Sequence, residues 1–257
     1  LGILTREGLQ IVFVDTPGIH KPKHKLGDYM NDEALSSISD ADVVLWLLET
    51  DEVLTPEDHL IAEKLSAIRR LPPVLMLLTK VDLTDAVRLE AFKKSAFELF
   101  PAKDMLEIST FQKKGLNELI ERVTAMLPEG EPFFDEDTIT DAYERDIAAE
   151  LIRESAMNYL RDELPHCIAV RIDEYKERTE DKSLIEATIF VERDSQKGII
   201  IGKGGEMLKQ IGTRARQEIE SMSGREVFLS LRVKVDKNWR NSPEALQMLG
   251  YKKMKED

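Results

Sequence analysis

The sequence predicts an α/β domain built on a mostly parallel sheet, followed by an α+β domain, and three observations carry that expectation. Two short apolar runs, LQIVFV from Leu9 and VLMLL from Val74, each stop at a polar motif, Asp15-Thr16-Pro17-Gly18 and Thr79-Lys80-Val81-Asp82. Such runs read as strands buried on both faces of a parallel sheet, and open α/β sheets place their ligands at the carboxyl ends of their strands. The third observation is a change of pattern near residue 141. There the alternation of strand and helix gives way to a helix, two strands, two helices around a glycine-rich loop, and a last strand.

Composition sets the limits. A chain of 257 residues, 42% hydrophobic and 33% charged, is long enough for two domains with their own cores. Cys167 is the only cysteine, which excludes an intramolecular disulfide and fits a reducing compartment. No apolar run approaches the ~20 residues of a membrane span, and no signal segment opens the chain, so a soluble, cytoplasmic protein is expected.

In order, Ile3-Leu4 forms an edge strand paired through a turn at Glu7-Gly8. The Lys- and His-rich loop Ile19 to Leu26 leads to a helix carrying Tyr29, Met30, Ala34, Leu35 and Ile38. His20 and His24 lack a nearby Cys or carboxylate partner and read as a solvated loop rather than a metal site. Asp42 to Leu48 is a buried strand. Thr55, Pro56, Glu57 and Asp58 make a helix start with Thr as N-cap, and Leu60, Ile61, Leu65 and Ile68 follow on a helical period. After Asp82 come a helix from Val87 to Leu99, a strand from Met105 to Ile108 ending in Ser109-Thr110, and a helix from Gly115 to Met126. The βα crossovers should be right-handed.

Residues 1–127 thus form the first domain and 128–141 a linker rich in Pro, Gly and acids, which Phe133 and Phe134 should pin to one domain. The second domain, 142–257, opens with Asp141 and Glu144 as a capping pair on a long helix. The strand Ile168 to Tyr175, a charged turn Lys176 to Lys182 and the strand Leu184 to Arg193 follow. Then come a helix Ser195 to Ile201, the loop Gly202-Lys203-Gly204-Gly205, a helix to Met222, a strand Val227 to Val235 and a last helix from Ser242-Pro243.

Asp15-Thr16-Pro17-Gly18 resembles the phosphate-sensing switch motif of GTPases, and Thr79-Lys80-Val81-Asp82 their guanine-specifying motif. The resemblance implies a P-loop NTPase-type GTPase domain that takes GTP or GDP with Mg²⁺. Asp15 would hold the metal through water and the Gly18 amide would sense the γ-phosphate, which makes these two the catalytic candidates, with Thr16 and Pro17 in the same nucleotide-binding loop. Lys80 would lie along the base. Asp82 would accept from the guanine ring nitrogens, which disfavours an ATP-using enzyme. Thr79 stands where most GTPases carry Asn, so weaker guanine affinity is expected. Ser109 and Thr110 match a further base-contacting motif in which Ala is usual at the second position. Ile19 occupies the place of a water-positioning Gln, which implies slow intrinsic hydrolysis stimulated from elsewhere. No GxxxxGK[ST] loop occurs; the nearest stretch, Gly198 to Gly204, is one residue short and lacks the Ser or Thr. The sequence is therefore expected to lack the first strand, the phosphate loop, the first helix and the first switch.

The element order of the second domain, with GIIIGKGG from Gly198, is that of a type II KH domain. In KH domains this loop clamps the nucleic-acid backbone, with the glycines admitting phosphates and Lys203 and the helix N-terminus supplying positive potential. Gly202, Lys203, Gly204 and Gly205, with Lys209 and Arg214, are the RNA-binding candidates. From Ser195 to Arg240 ten Lys or Arg face five Asp or Glu, a local charge of +5 in a chain at −13. Trp239 either stacks on a base or covers the last helix. DTPGIHKPKHKLG from Asp15, the TITD entry at Thr138 and GIIIGKGGEMLKQIG from Gly198 resemble the Era family, in which a GTPase domain precedes a type II KH domain. That resemblance implies a monomeric cytoplasmic GTPase, peripheral on the inner face of the cell membrane. It also implies binding of the single-stranded 3′ end of small-subunit (16S) rRNA and a part in small ribosomal subunit assembly. The competing reading is an RNA-binding KH protein whose nucleotide domain is inactive or truncated.

Overall fold

The computed structural model describes residues 1–140, 142–160, 167–179 and 181–251. The chain divides into two compact units, with the boundary after Thr140.

In the first unit, β1 (Gly2–Arg6) and β2 (Leu9–Phe13) form an antiparallel hairpin turned at Gly8. After α1 (Lys25–Ser39), three strands alternate with helices: β3 (Val44–Glu49), α2 (Pro56–Ala67), β4 (Val74–Thr79), α3 (Ala86–Leu99), β5 (Asp104–Glu107) and α4 (Leu116–Thr124). They form a parallel sheet in the order β3-β4-β5. The central strand is apolar without interruption because both of its faces are covered. Met76 and Leu78 join Trp46, Leu48, Leu65, Leu89 and Phe92 in one core, while Leu75 and Leu77 join Leu106, Val123 and Ile11 in the other. Each such side chain contributes about 1.5–3 kcal/mol by burial. Thr55 caps α2 as expected, in a reciprocal box with Asp58.

Two strands differ from their sequence reading. β2 pairs only with β1 among the described residues, and of its five residues only Ile11 is buried. β3 is covered on one face, with Leu47 59% exposed between buried Trp46 and Leu48. An apolar run alone does not separate a strand covered on both faces from one covered on a single face.

The linker is held by hydrogen bonds to its backbone, three of them with the Gln10 side chain, rather than by burial of Phe133. Phe133 is 83% exposed, yet the Gln10 Oε1 accepts from the amides of Phe133 (2.8 Å) and Phe134 (3.0 Å), and Gln10 Nε2 donates to the Phe134 carbonyl at 2.9 Å. The Ile3 amide also donates to the Ile139 carbonyl at 2.9 Å. Residues 128–140 accordingly belong to the first unit.

The second unit carries α5 (Glu144–Tyr159), β6 (Ala169–Thr179), β7 (Lys182–Val191), α6 (Asp194–Ile201), α7 (Glu206–Ser223), β8 (Glu226–Val235) and α8 (Pro243–Met248). β7 lies centrally, antiparallel to β6 and parallel to β8. Ile152 and Ala156 of α5, Ile200 of α6, Ile211, Ala215 and Ile219 of α7, and Ile185, Ile189 and Val191 of β7 make its core. The segment read as a charged turn is mostly strand: β6 runs to Thr179, with its charged residues exposed along an extended edge. Of the expected capping pair only Glu144 is among the described residues, Asp141 lying outside them. Tyr143 holds the N-cap position, and the Glu144 carboxylate accepts from the Tyr175 hydroxyl (2.6 Å) and from Arg225 (2.7 Å). Trp239 is 1% exposed, which removes it as a base-stacking platform.

Burial first, and then the hydrogen bond to Glu144, push the Tyr175 hydroxyl up to about 12 from its ordinary 10.0. An acid whose pKa is raised in the folded state keeps its proton while the unfolded chain loses its own, so this contribution declines as pH rises from 10.0 to about 12. Unfolding by denaturant across that window should therefore show a steeper alkaline loss of stability in the parent than in Tyr175→Phe.

Candidate nucleotide and nucleic-acid sites

At the carboxyl end of β4, Thr79 stands in register with Glu49 of β3. Its hydroxyl donates to the Leu48 carbonyl at 3.1 Å, while the Thr50 amide (3.2 Å) and hydroxyl (2.9 Å) donate to the Thr79 carbonyl. The threonine thus laces the motif to the neighbouring strand. Lys80 adopts the left-handed conformation (φ 57°) and begins a 3₁₀ turn over Val81–Leu83, closed by the Leu83 amide on the Lys80 carbonyl at 2.9 Å. Its ammonium lies 2.6 Å from Glu49 and 3.9 Å from Asp51, and the Glu49 hydrogen bond leads the effects that raise its pKa. Glu49, Thr50 and Asp51 were missed by motif reading; their one signal was position at the end of a neighbouring strand. Asp82 is partly buried, and its carboxylate has no hydrogen bond or ion pair among the described residues, so it is free to accept.

Ser109 and Thr110 come beside this turn because Ile108 donates to the Leu78 carbonyl (2.8 Å) and accepts from the Val81 amide (3.4 Å). Ser109 is fully buried. Its hydroxyl accepts from the Gln112 amide at 3.0 Å, and its backbone pairs with Lys114 in both directions, so it organises the turn while Thr110 is exposed.

Asp15, Thr16, Pro17 and Gly18 are exposed after β2, and Gly18 takes φ +77° with open space where a Cβ would stand. Ile19 turns inward and is 8% exposed. The next residue is clamped to α1: the His20 amide donates to Asn31 Oδ1 (3.1 Å) and Asn31 Nδ2 to the His20 carbonyl (2.7 Å). No hydrogen bond or ion pair among the described residues joins Asp15–Gly18 to Thr79–Asp82. No group of three or more His, Cys, Asp or Glu converges on a metal position among the described residues. A lone free carboxylate such as Asp15 nonetheless suits Mg²⁺, which keeps most of its waters and takes other ligands from phosphates.

In the second unit, α6 ends at Gly202 (φ +73°), and Lys203–Gly205 form a short turn before α7. A Cβ on Gly202 would lie 2.6 Å from Met207 Cβ and 2.9 Å from its amide nitrogen, whereas Gly204 and Gly205 face open space. The loop is therefore tight on its protein side and open outward. Lys203 is exposed at its tip; Lys209 and Arg214 line a groove of about 660 Å³ on α7 together with Tyr159. Ion pairing sorts the basic residues in a way composition could not. Arg216 pairs with Glu220, Arg225 with Glu144, Arg232 with Glu186 and Arg240 with Glu192. Lys197, Lys203, Lys209, Arg214, Lys234 and Lys237 have no ion-pair partner among the described residues.

A parallel sheet that fixes a guanine-type motif at a strand end, joined in one chain to a helix–GxxG–helix unit, defines a GTPase carrying a KH domain. Residues 1–80 match the family described as 50S ribosome-binding GTPase, and residues 163–240 the KH domain family. The chain is 45% identical to GTPase Era of Lactobacillus helveticus over 252 residues, covering 98% of this chain and 83% of that protein. It is 44% identical to GTPase Era of Lacticaseibacillus paracasei, covering 97% and 83%. A crystal structure of Era in complex with MgGDPNP and nucleotides 1506–1542 of 16S ribosomal RNA superposes with a TM-score of 0.91 at 38% identity, over 97% of this chain and 85% of that one. The chain belongs to the Era family of GTPases.

Because Gly202 combines positive φ with a blocked Cβ position, Gly202→Ala should lower the midpoint of thermal unfolding more than Gly204→Ala, whose Cβ would meet nothing. Circular dichroism melts of the two variants compare them directly; equal losses would show that conformation alone sets the cost.

Proposed function

We propose that this chain binds GTP and GDP with Mg²⁺ through the ends of its first sheet, hydrolyses GTP, and binds the single-stranded 3′ end of small-subunit rRNA through its KH unit. It would act in assembly of the small ribosomal subunit. The observation that carries the reading is the presence in one chain of a rigidly held Thr79–Asp82 turn with a free Asp82 carboxylate and an outward-open Gly202–Gly205 loop with an unpaired Lys203. The family description for residues 1–80 names the large subunit, but the superposed relative, which spans both units, holds 16S RNA, and the small-subunit reading follows that structure.

Within this reading Asp15 holds Mg²⁺ through water, Gly18 senses the γ-phosphate, Thr16 and Pro17 complete that loop, and Lys80, Asp82 and Thr110 meet the base, with Thr79 and Ser109 supporting them. Gly202, Lys203, Gly204, Gly205, Lys209 and Arg214 meet the RNA backbone. Ile19, buried and without a donor or acceptor in its side chain, goes with slow intrinsic hydrolysis. The functional domains in this reading are 1–127 and 142–257, with 128–141 between them as a segment whose residues 128–140 are bonded to the first unit. A monomeric state and a cytoplasmic location belong to the same reading. Peripheral association with the inner face of the membrane would have to be made without a spanning helix, since none of the described helices is long and apolar enough to cross.

The test is a crossed pair of substitutions. Asp82→Asn should weaken GDP binding by about 10-fold or more, the loss of charged hydrogen bonds worth about 1.5–3 kcal/mol, while leaving affinity for a single-stranded rRNA 3′-end oligonucleotide unchanged. Lys203→Ala should spare GDP and weaken the RNA, with the salt dependence of binding reduced by about one charge. Titration calorimetry for GDP, with ADP as control, and fluorescence anisotropy for RNA measure the four numbers; equal effects of both changes on both ligands would sink the two-site division.

A further inference from the structure

A groove of about 970 Å³ opens in the first unit between the loop Thr50–Leu54, the start of α2 and the length of α3. Leu54, Phe92 and Leu99 give it an apolar lining, and Val53 and Leu83 line it while remaining 83% and 64% exposed. Apolar side chains left in water around a concavity mark a surface that gains by being covered, at about 25 cal/mol per Å². The charges say what would cover it. Asp51, Glu52 and Glu98 line the groove, whereas its one Lys or Arg, Arg88, has its Nε 3.4 Å from Asp85. RNA or an anionic lipid surface would meet repulsion there. A protein segment with Lys or Arg flanking apolar side chains at helical spacing is complementary in both respects.

The groove wall is also the brace of the guanine-specifying turn. Thr50 donates twice to the Thr79 carbonyl, and Asp51 lies 3.9 Å from the Lys80 ammonium. We propose that this groove docks a basic amphipathic segment of a small-subunit ribosomal protein, and that the docked segment is sensed at the guanine site through Thr50 and Asp51. The inference rests on the small-subunit reading above. Coupling of this kind is reciprocal: whatever the segment does to guanine-nucleotide affinity, the nucleotide does to the segment.

The experiment places the photo-crosslinker p-benzoylphenylalanine at Val53 of the full chain, a position exposed enough to leave folding intact, and irradiates it with purified small ribosomal subunits. Co-sedimentation is measured in the same samples. The expected result is co-sedimentation together with a protease-sensitive, nuclease-resistant adduct to a basic ribosomal protein, reduced about five-fold by the double change Glu52→Lys and Glu98→Lys, an effect of about 1 kcal/mol. Co-sedimentation with no protein adduct, with an adduct to rRNA or to a second copy of this chain, or with an adduct indifferent to the charge reversal overturns the docking site alone. Failure to co-sediment overturns the small-subunit reading and the docking site with it.

Discussion

The nucleotide half of this protein depends on one constraint, the burial of β4. Its backbone is paired on both edges, with Val74–Thr79 against β3 and Leu75–Leu78 against β5, and its side chains are buried on both faces. A strand so held has no low-energy way to shift by one residue, because a slip would exchange the two cores. The turn that leaves its carboxyl end inherits that fixity. Lys80 can therefore sit in a left-handed conformation that costs a non-glycine residue about 1–2 kcal/mol. The ion pair with Glu49 is exposed at both ends, and such pairs contribute about 0–1 kcal/mol. It is too weak to hold the backbone. Its effect is to direct the lysine stem, while the bonds among Leu48, Thr50 and Thr79 hold the turn.

The KH loop reaches a comparable precision by another route. Ile200 precedes the loop and Ile211 follows it, both with no exposure, so the two helices are pinned into one core and the loop must span a set gap. Only a glycine at 202 closes that gap, since Met207 occupies the space a side chain would need. Gly204 and Gly205 answer a different requirement, positive φ with nothing in front, which leaves their backbone accessible to a large partner. Tightness on one side and openness on the other follow from the same four residues.

Features set by local chemistry were legible in the sequence. The Thr55 cap, the strand ending at Thr79, the helix pair around Gly202–Gly205 and the element order of the second unit all depend on residues a few positions apart. What was not legible depends on partners far along the chain. β2 reads like β4, but one pairs in a hairpin and the other in the middle of a sheet. Glu144 reads as a cap residue, yet Tyr175 and Arg225 claim its carboxylate. Trp239 reads equally well as a platform or as core, and only tertiary packing decides. Phe133 and Phe134 suggested an apolar anchor for the linker, where the anchor is the amide of Gln10, a residue 123 positions earlier than Phe133. Of the site residues, those at strand ends and in the glycine loop were found by motif, and the supports Glu49, Thr50 and Asp51 were not, since they are defined by register between strands.

Charge shows the same division between sum and placement. The chain carries −13, which by itself would oppose any approach to RNA. At physiological ionic strength, however, exposed charges more than about 8–10 Å apart are largely screened from one another. An RNA strand at the KH loop therefore responds to the charges around it rather than to the total. In the second unit the pairing pattern matters more than the count of ten cations: Arg216, Arg225, Arg232 and Arg240 are committed to Glu220, Glu144, Glu186 and Glu192. Lys203 at the loop and Lys209 and Arg214 on the helix that follows have no ion-pair partner among the described residues. Those four glutamates are drawn off where they brace the fold, while three uncommitted cations lie at and just beyond the loop that the proposed function assigns to the RNA backbone.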